Sequence, residues 1–254
     1  MVNISHSKAP VSEVIFGTTY NTRILNDSNT FKILSELVDG YPNVQYLSPL
    51  SNQKLIDNSK LLFESNTFES GQFLYRLRNS DGTRLVQIQG NKIYFNWIRL
   101  DDQSPNGFYP GFDSIFHEFK IIVEKINVIC GGELNNNILY HELTYHDRIF
   151  YEEYIDNLSK IDQLLNVNPP LSISTSNIFG FSFGSTEVLN EEKDYASLNI
   201  NNGYSESMSK DILSIEYSIR GFSPDKDGWF NRSREQQNIL FRKLINKQIL
   251  QSWV

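Results

Sequence analysis

Two histidines and two carboxylates lie close together in residues 136–151, NNILYHELTYHDRIFY. His141, Glu142, His146 and Asp147 are of the residue types that bind metal ions and transfer protons. Zinc peptidases place two histidines four residues apart on a helix, so that both side chains face one ion. Here the histidines are five residues apart in a stretch that alternates as a strand, and such side chains point to opposite faces. The spacing therefore argues against a metal site, and we expect no metal or cofactor.

The alternation of this strand also sorts its polar side chains. It places His146 with Glu142 and Thr144 on one face, and His141 with Leu143 on the other. Glu142 and His146 on a shared face are half of an acid–base or metal site. The alternative is a half-buried strand whose polar side chains make cross-strand hydrogen bonds, which is the interpretation that we favour.

Other motifs narrow the chemistry further. No G-x-G-x-x-G motif follows a predicted strand into a helix, and no G-x-x-x-x-G-K-S/T motif occurs, so the common cradles for nucleotide phosphates are absent. The single cysteine, Cys130, excludes an internal disulfide and a multi-cysteine metal site. Asp225 and Asp227 precede a predicted helix, where carboxylates stabilise the helix N-terminus.

Hydrophobic patterns predict the elements that position these residues. A strand spans residues 10–20, and a three-strand meander spans 72–99 with turns at Asp81-Gly82 and Gly90-Asn91. The residues expected to point inward from the meander are Val86, Ile88, Ile93, Phe95 and Trp97. A helix at 111–126 carries one apolar stripe. The stripe comprises Phe112, Ile115, Phe116, Phe119, Ile122, Val123 and Ile126.

The element order predicts the fold class. Further helices are expected over NTFKILSELVDGYP, where Gly40 and Pro42 end the helix, and at 151–166. Strands then follow at 171–184, 194–201 and 211–220, with a final helix at 229–252. This order favours an α+β fold in which largely antiparallel sheets are packed with long amphipathic helices. Pro169-Pro170 suggests a boundary between an N-terminal part, 1–168, and a C-terminal part, 171–254. Two similar sub-domains and one compact domain both remain open.

Two features of the C-terminal part could form a partner surface. In NIFGFSFGS, small residues leave one strand face nearly bare, so that a helix, a ligand or a partner can approach closely. The final helix has five basic residues and one acidic residue, in a chain of net charge −7. The candidate partner surface is therefore Gly180, Ser182, Gly184, Arg232, Arg234, Arg242, Lys243 and Lys247. A basic helix on an acidic body fits an acidic partner or a second copy, or it is simply a solvated face.

The overall charge and hydrophobicity bear on partners and location. A net charge of −7 disfavours binding to nucleic acid, because neutralising phosphates supplies most of that affinity. No apolar run reaches the roughly 20 residues needed to span a bilayer. The N-terminus lacks the charge and apolar pattern of a signal peptide. We therefore expect a cytoplasmic protein without a membrane partner.

Several separated motifs together resemble one protein family. The motifs occur in the order that the family shows: APVSEVIF, RLVQIQGNKIYFNWIRL, FYPGFDSIFHEF, ELTYHDRI and the C-terminal helix. The family is sporadically distributed in bacteria and archaea, and its members are of about this chain's length. The positions carried over are Pro10, Val11, Glu13, Gln87, Asn96, Trp97, Tyr109, Pro110, Phe116, Leu143, Thr144 and Tyr145. The family usually has a histidine-like polar residue near Arg234 or Glu235, which puts any role of that position in doubt here.

The resemblance implies an α+β fold, a cytoplasmic microbial protein and no activity to transfer. Patchy distribution is typical of mobile accessory genes, such as antiviral defence or toxin–antitoxin-like cassettes. The candidate polar network is Glu13, Gln87, Asn96, Tyr109, Glu142 and His146, which either fixes strand register or lines a binding groove.

Three functional hypotheses remain. The first is a non-enzymatic binding or sensing protein that contacts itself, as a homodimer, or the product of a neighbouring gene. The second is an enzyme acting on nucleic acid or nucleotides, in which Glu13, His141, Glu142 or His146 transfers protons. The third is a nucleic-acid binder that uses the basic C-terminal helix.

Overall fold

The computed structural model describes residues 10–48, 53–56, 60–63, 73–100, 108–156, 158–166, 182–189, 194–205 and 209–253. Helices and strands are mixed along this part of the chain. The strands are β1 Val11–Tyr20, β2 Asn43–Leu47, β3 Gln53–Ile56, β4 Lys60–Phe63, β5 Leu74–Arg78, β6 Arg84–Gln89, β7 Lys92–Ile98, β8 Ile138–Ile149, β9 Ser182–Val188, β10 Tyr195–Ser205 and β11 Lys210–Gly221. The helices are α1 Asn29–Leu37, α2 Phe112–Ile129, α3 Ile161–Leu164, α4 Lys226–Leu244 and α5 Lys247–Ser252.

Nine of the described strands are hydrogen-bonded neighbours in the order β2-β5-β6-β7-β1-β8-β11-β10-β9, and β3 pairs with β4 in a separate hairpin. The prediction of an α+β fold with antiparallel sheet is confirmed. Strand β1 lies in the middle of this order, although it is the first of the described elements along the sequence. Among the described helices, none has the length and apolar character that a membrane span needs.

Contacts divide the chain into two compact units that are not contiguous in sequence. The first combines 1–16, 97–116 and 140–254, and the second combines 17–96 and 117–139. Because the boundaries cut through β1, β7, α2 and β8, each of these elements contributes to both units. A division at residues 168–171 stays a prediction, and Pro169-Pro170 lies outside the described residues.

The second unit contains the predicted meander. Five of its apolar side chains are fully buried, namely Leu77, Val86, Ile88, Ile93 and Phe95. Alternation had placed all of these except Leu77 inward, so that prediction is confirmed for four residues. The turns depend on Gly82 and Gly90, whose φ angles of 80° and 54° favour glycine. Helix α2 lies against this meander, because the Arg84 guanidinium on β6 donates two hydrogen bonds to the Glu118 carboxylate, of 2.7 and 2.8 Å.

The first unit has an aromatic core beneath α4. The ring of Phe16 lies 5.4 Å from both Phe116 and Phe230, and Trp229 lies 5.0 Å from Phe230. The Gln237 side chain on α4 donates hydrogen bonds to the backbone carbonyls of Leu143 (2.8 Å) and Tyr217 (3.1 Å). These bonds fix the helix on strands β8 and β11.

Two helix predictions were wrong. Residues 151–166 form two 3₁₀ turns and the four-residue α3, because Asn166 N–H donates to the Leu244 carbonyl and Asn246 N–H to the Leu164 carbonyl. These long-range bonds replace helical ones. The same contact breaks the predicted terminal helix 229–252 after Leu244, and Asn246 then caps α5 by accepting from Gln248 N–H at 3.0 Å.

Two other elements were not predicted from the sequence, namely strand β2 and the β3–β4 hairpin. Of the strand expected at 171–184, residues 182–184 belong to β9, and 171–181 lie outside the described residues.

Candidate functional site

Strand β8 presents its two histidines to opposite faces, as its alternation predicted. Antiparallel register pairs Glu142 with Arg220, Thr144 with Ser218, and His146 with Glu216 on β11. Directly opposite residues share a face, so these pairs form three polar cross-strand rows. We call this surface the polar sheet face. Each row continues onto β10 and then β9. Tyr195 and Val188 extend the row of Arg220, Ser197 and Thr186 extend that of Ser218, and Asn199 and Gly184 extend that of Glu216.

The Glu142 carboxylate is held by an ion pair within the polar sheet face. Arg220 Nε donates to Glu142 Oε2 at 2.8 Å, and Arg220 Nη2 lies 3.3 Å from Oε1. Thr144 Oγ1 donates to Ser218 Oγ at 2.8 Å in the next row. Glu142 is buried at 7% exposure, and a buried carboxylate requires such a partner. This arrangement explains Glu142 as a structural residue.

His146 lies at the more open end of the polar sheet face. Its Nε2 is 3.9 Å from Glu216 Oε2, while Glu216 Oε1 accepts from Asn199 Nδ2 at 3.1 Å. A β-carbon at Gly184 would lie 3.1 Å from Asn199 Oδ1, so the glycine leaves room for this amide. Glu142 and His146 are four residues apart on one strand, about 13 Å between Cα atoms. They are too far apart for an acid–base pair in hydrogen-bond reach.

His141 belongs to the core. Its ring lies 5.3 Å from Trp229 and 5.2 Å from Phe230, beneath α4. Burial lowers its pKa to about 4, so the imidazole is neutral near pH 7. The structure thus assigns the two histidines of HELTYH to a core contact and to the polar sheet face.

Gln87 and Asn96 of the predicted network do bond to each other. Gln87 Nε2 donates to Asn96 Oδ1 at 3.0 Å, and Arg76 Nε donates to Gln87 Oε1 at 3.0 Å. Both amides are buried, so the chain of bonds ties β5, β6 and β7 in register. Glu13 is partly exposed on β1.

A buried tyrosine–aspartate cluster was only partly predicted. The Tyr109 and Tyr145 hydroxyls lie 3.1 Å apart, and the Trp97 ring lies 5.4 Å from that of Tyr109. Asp147, two residues along β8 from Tyr145, is 4% exposed. Burial raises its pKa to about 7, against the opposing effect of the Arg99 charge. Tyr109 was a candidate residue, but the burial of Asp147 was not predicted. The signal was its even spacing from Leu143 and Ile149, which places it on the same strand face as these apolar residues.

The candidate partner surface divides into several environments. Ser182 is exposed and donates to Asn201 Oδ1 at 2.7 Å, whereas Gly180 lies outside the described residues. Arg234 lies 3.3 Å from Asp113 and 4.7 Å from the centre of the Phe112 ring, so it is used within the fold. The remaining cations are exposed on α4 and α5. They are Arg232, Arg242, Lys243 and Lys247.

Within the described ranges, no three histidine, cysteine, aspartate or glutamate side chains converge as metal ligands. Comparison of the chain with protein-family models and with curated proteins gave no match. The candidate function therefore depends on the geometry of the chain itself.

Proposed function

We propose that this chain is a non-enzymatic binding or sensing protein that acts through protein–protein contacts in the cytoplasm. Its partner is a protein with an acidic surface, either the product of a neighbouring gene or a second copy. The resemblance to a sporadically distributed family supports a role in a mobile accessory cassette of the defence or toxin–antitoxin type.

One observation carries this proposal: three exposed cations lie within six residues where α4 ends and α5 begins. Arg242 and Lys243 close α4 and Lys247 opens α5, all three exposed, in a protein of net charge −7. Cations in the last turn stabilise the helix through its dipole, which accounts for part of their presence. A concentrated exposed charge also steers association with a partner of opposite charge. We call these three residues the basic helix end.

The side chains that an enzyme would need are engaged elsewhere. Glu142 is paired with Arg220, His141 is buried against aromatic rings, and His146 is about 13 Å along the strand from Glu142. Acid–base catalysis requires groups within hydrogen-bond reach of one substrate. This separation favours a binding function over the enzymatic alternative.

The experiment is co-purification of the chain with each neighbouring gene product, followed by titration calorimetry. The test variant replaces Arg242, Lys243 and Lys247 with glutamine. Glutamine keeps helix propensity and removes the charge, so the fold should persist. We expect binding to weaken by about tenfold or more at physiological ionic strength, which corresponds to about 1.4 kcal/mol.

The matched control is Lys32→Gln on α1, an exposed cation outside the basic helix end. Equal affinity of wild type and the triple variant would contradict the proposal. A duplex and a single-stranded oligonucleotide serve as further probes. Binding of either one with a steep salt dependence would instead identify a nucleic-acid binder.

A further inference from the structure

Strand β9 closes one end of the described sheet. It pairs with β10 in an unbroken register from Ser182–Asn201 to Val188–Tyr195. Six of its seven residues are exposed, and only Phe183 is partly buried. Among the strands that the structure describes, none lies beside the outer edge of β9.

The sequence of β9 has few of the features that protect an edge strand, with Glu187 its one charged residue. Natural edge strands are shortened, bulged, or marked by lysine or proline, because their backbone groups otherwise template pairing with another chain. Strand β2, at the other end of the described order, has five residues and directly follows Pro42. Strand β9 is longer and has no proline, lysine or bulge. The contrast singles out β9 as the edge suited to pairing.

We infer that the outer edge of β9 pairs antiparallel with β9 of a second copy, about a two-fold axis at Ser185. The inference rests on the proposed function, since it names a second copy as one protein partner. Self-pairing uses one surface on both molecules, as closed dimers require. The axis at Ser185 is the only one that pairs all seven residues of the strand.

The residue pairs of this register are compatible with a second copy as the occupant. Glu187 is the only charged residue in β9, and in this register it faces Phe183 of the second copy. The two Glu187 carboxylates are then not opposite each other, so like charges do not clash. Gly184 meets Thr186 and Ser182 meets Val188, all without steric bulk. The edge is therefore complementary to itself.

The contact involves only one strand from each copy, so the dimer should dissociate on dilution. Sedimentation velocity over a concentration series measures its dissociation constant. A lysine at the axis places two ammonium groups directly opposite each other. We expect Ser185→Lys to weaken dimerisation at least about fivefold, and Ser185→Glu to do the same.

Mixing the two variants provides the decisive measurement. Lysine then faces glutamate across the axis, and the mixture should dimerise at least as tightly as the wild type. Gln45→Lys, at the centre of the exposed strand β2, is the matched control and should leave the dimer unchanged. Because Ser185 is exposed, both variants should keep the wild-type circular dichroism and melting temperature.

Three outcomes would overturn the inference. In the first, the wild type stays monomeric over the whole concentration series. In the second, Gln45→Lys weakens the dimer and Ser185→Lys does not. In the third, mixing Ser185→Lys with Ser185→Glu fails to restore the dimer. The proposed function fails separately, when neutralising the basic helix end leaves partner binding intact. The two tests use different variants, so either result can be assigned.

Discussion

The Asp194 carboxylate occupies the space that a β-carbon on Gly221 would need. Asp194 Oδ1 also accepts a hydrogen bond from Trp229 Nε1 at 3.1 Å, and the indole nitrogen lies only 3.0 Å from the same β-carbon position. Asp194 and Trp229 are both buried. The glycine at the end of β11 therefore permits a buried bond that connects β10 with helix α4.

Gly221→Ala should destabilise the protein by about 2–4 kcal/mol, because the methyl group overlaps the Asp194 carboxylate and separates it from the indole. Urea unfolding followed by tryptophan fluorescence measures the change. Gly203→Ala on β10 is the control, since its β-carbon would make only an ordinary contact, 3.8 Å from Ile212. Similar losses in both variants would contradict the steric explanation.

Asp147 should make stability fall as pH rises. Burial raises its folded pKa to about 7, above the ordinary value of 3.8 for this carboxyl, so the folded state binds the extra proton between these values. Stability then decreases across roughly pH 4 to 7 and levels off above that window. Asp147→Asn should remove this slope and raise stability at pH 8 by up to about 4 kcal/mol. Urea midpoints measured from pH 4 to 8 test the prediction.

Asp81 provides a control of opposite sign for Asp147. Hydrogen bonds from the Thr83 side chain and backbone lower its pKa, so its contribution is present above its unfolded pKa and is lost in acid. Asp81→Asn should therefore destabilise at neutral pH and lose that effect as the pH falls. A parallel pH response of the two variants would refute the assignment to individual carboxylates.

The ion pair of the polar sheet face should matter for stability. Glu142→Gln leaves Arg220 without its charged partner in a half-buried position, at an expected cost of about 1–3 kcal/mol. A double-mutant cycle with Arg220→Met isolates the pair energy, measured by urea unfolding. Asp156→Asn, in the exposed pair with Lys160, should show no measurable change. A coupling energy near zero in the cycle would count against a structural role for Glu142.

Asn246→Ala should loosen the C-terminal helix α5. The asparagine side chain caps this helix, and removing such a cap costs about 1 kcal/mol. Hydrogen exchange should accelerate at Lys247–Ser252, while the sheet keeps its protection. Asn238→Ala, on an exposed position of α4, is the control and should leave exchange in α5 unchanged.

Elements with strong periodicity were predictable from the sequence. Strand β8 was recognised within residues 136–151 because Leu139, Leu143, Tyr145 and Ile149 recur at even spacing along it. The inward residues of the meander followed for the same reason. Strand β2 was missed because only Val44 of its five residues is partly buried, so alternation gives little signal there.

The errors arose where contacts distant in sequence decide local structure. The helical spacing of Leu158, Ile161 and Leu165 reflects burial in one core cluster, but the backbone there bonds to residues 244–246. The tyrosine–aspartate cluster has a similar origin. Burial raises the pKa of its carboxylate, Asp147, and Arg99 and Tyr109, which interact with that carboxylate, come from another part of the chain. Local pattern contains neither kind of information.

The central position of β1 has a consequence for synthesis on the ribosome. Ser12 Oγ donates to the backbone carbonyl of His146, a contact that spans 134 residues. Strand β1 must therefore wait for β8, which at about 5–20 residues per second takes roughly 7–27 s. During that interval β1 exposes Val14 and Phe16, both fully buried in the finished fold. The nascent chain is thus a natural client for chaperones that shield apolar segments until β8 has been synthesised.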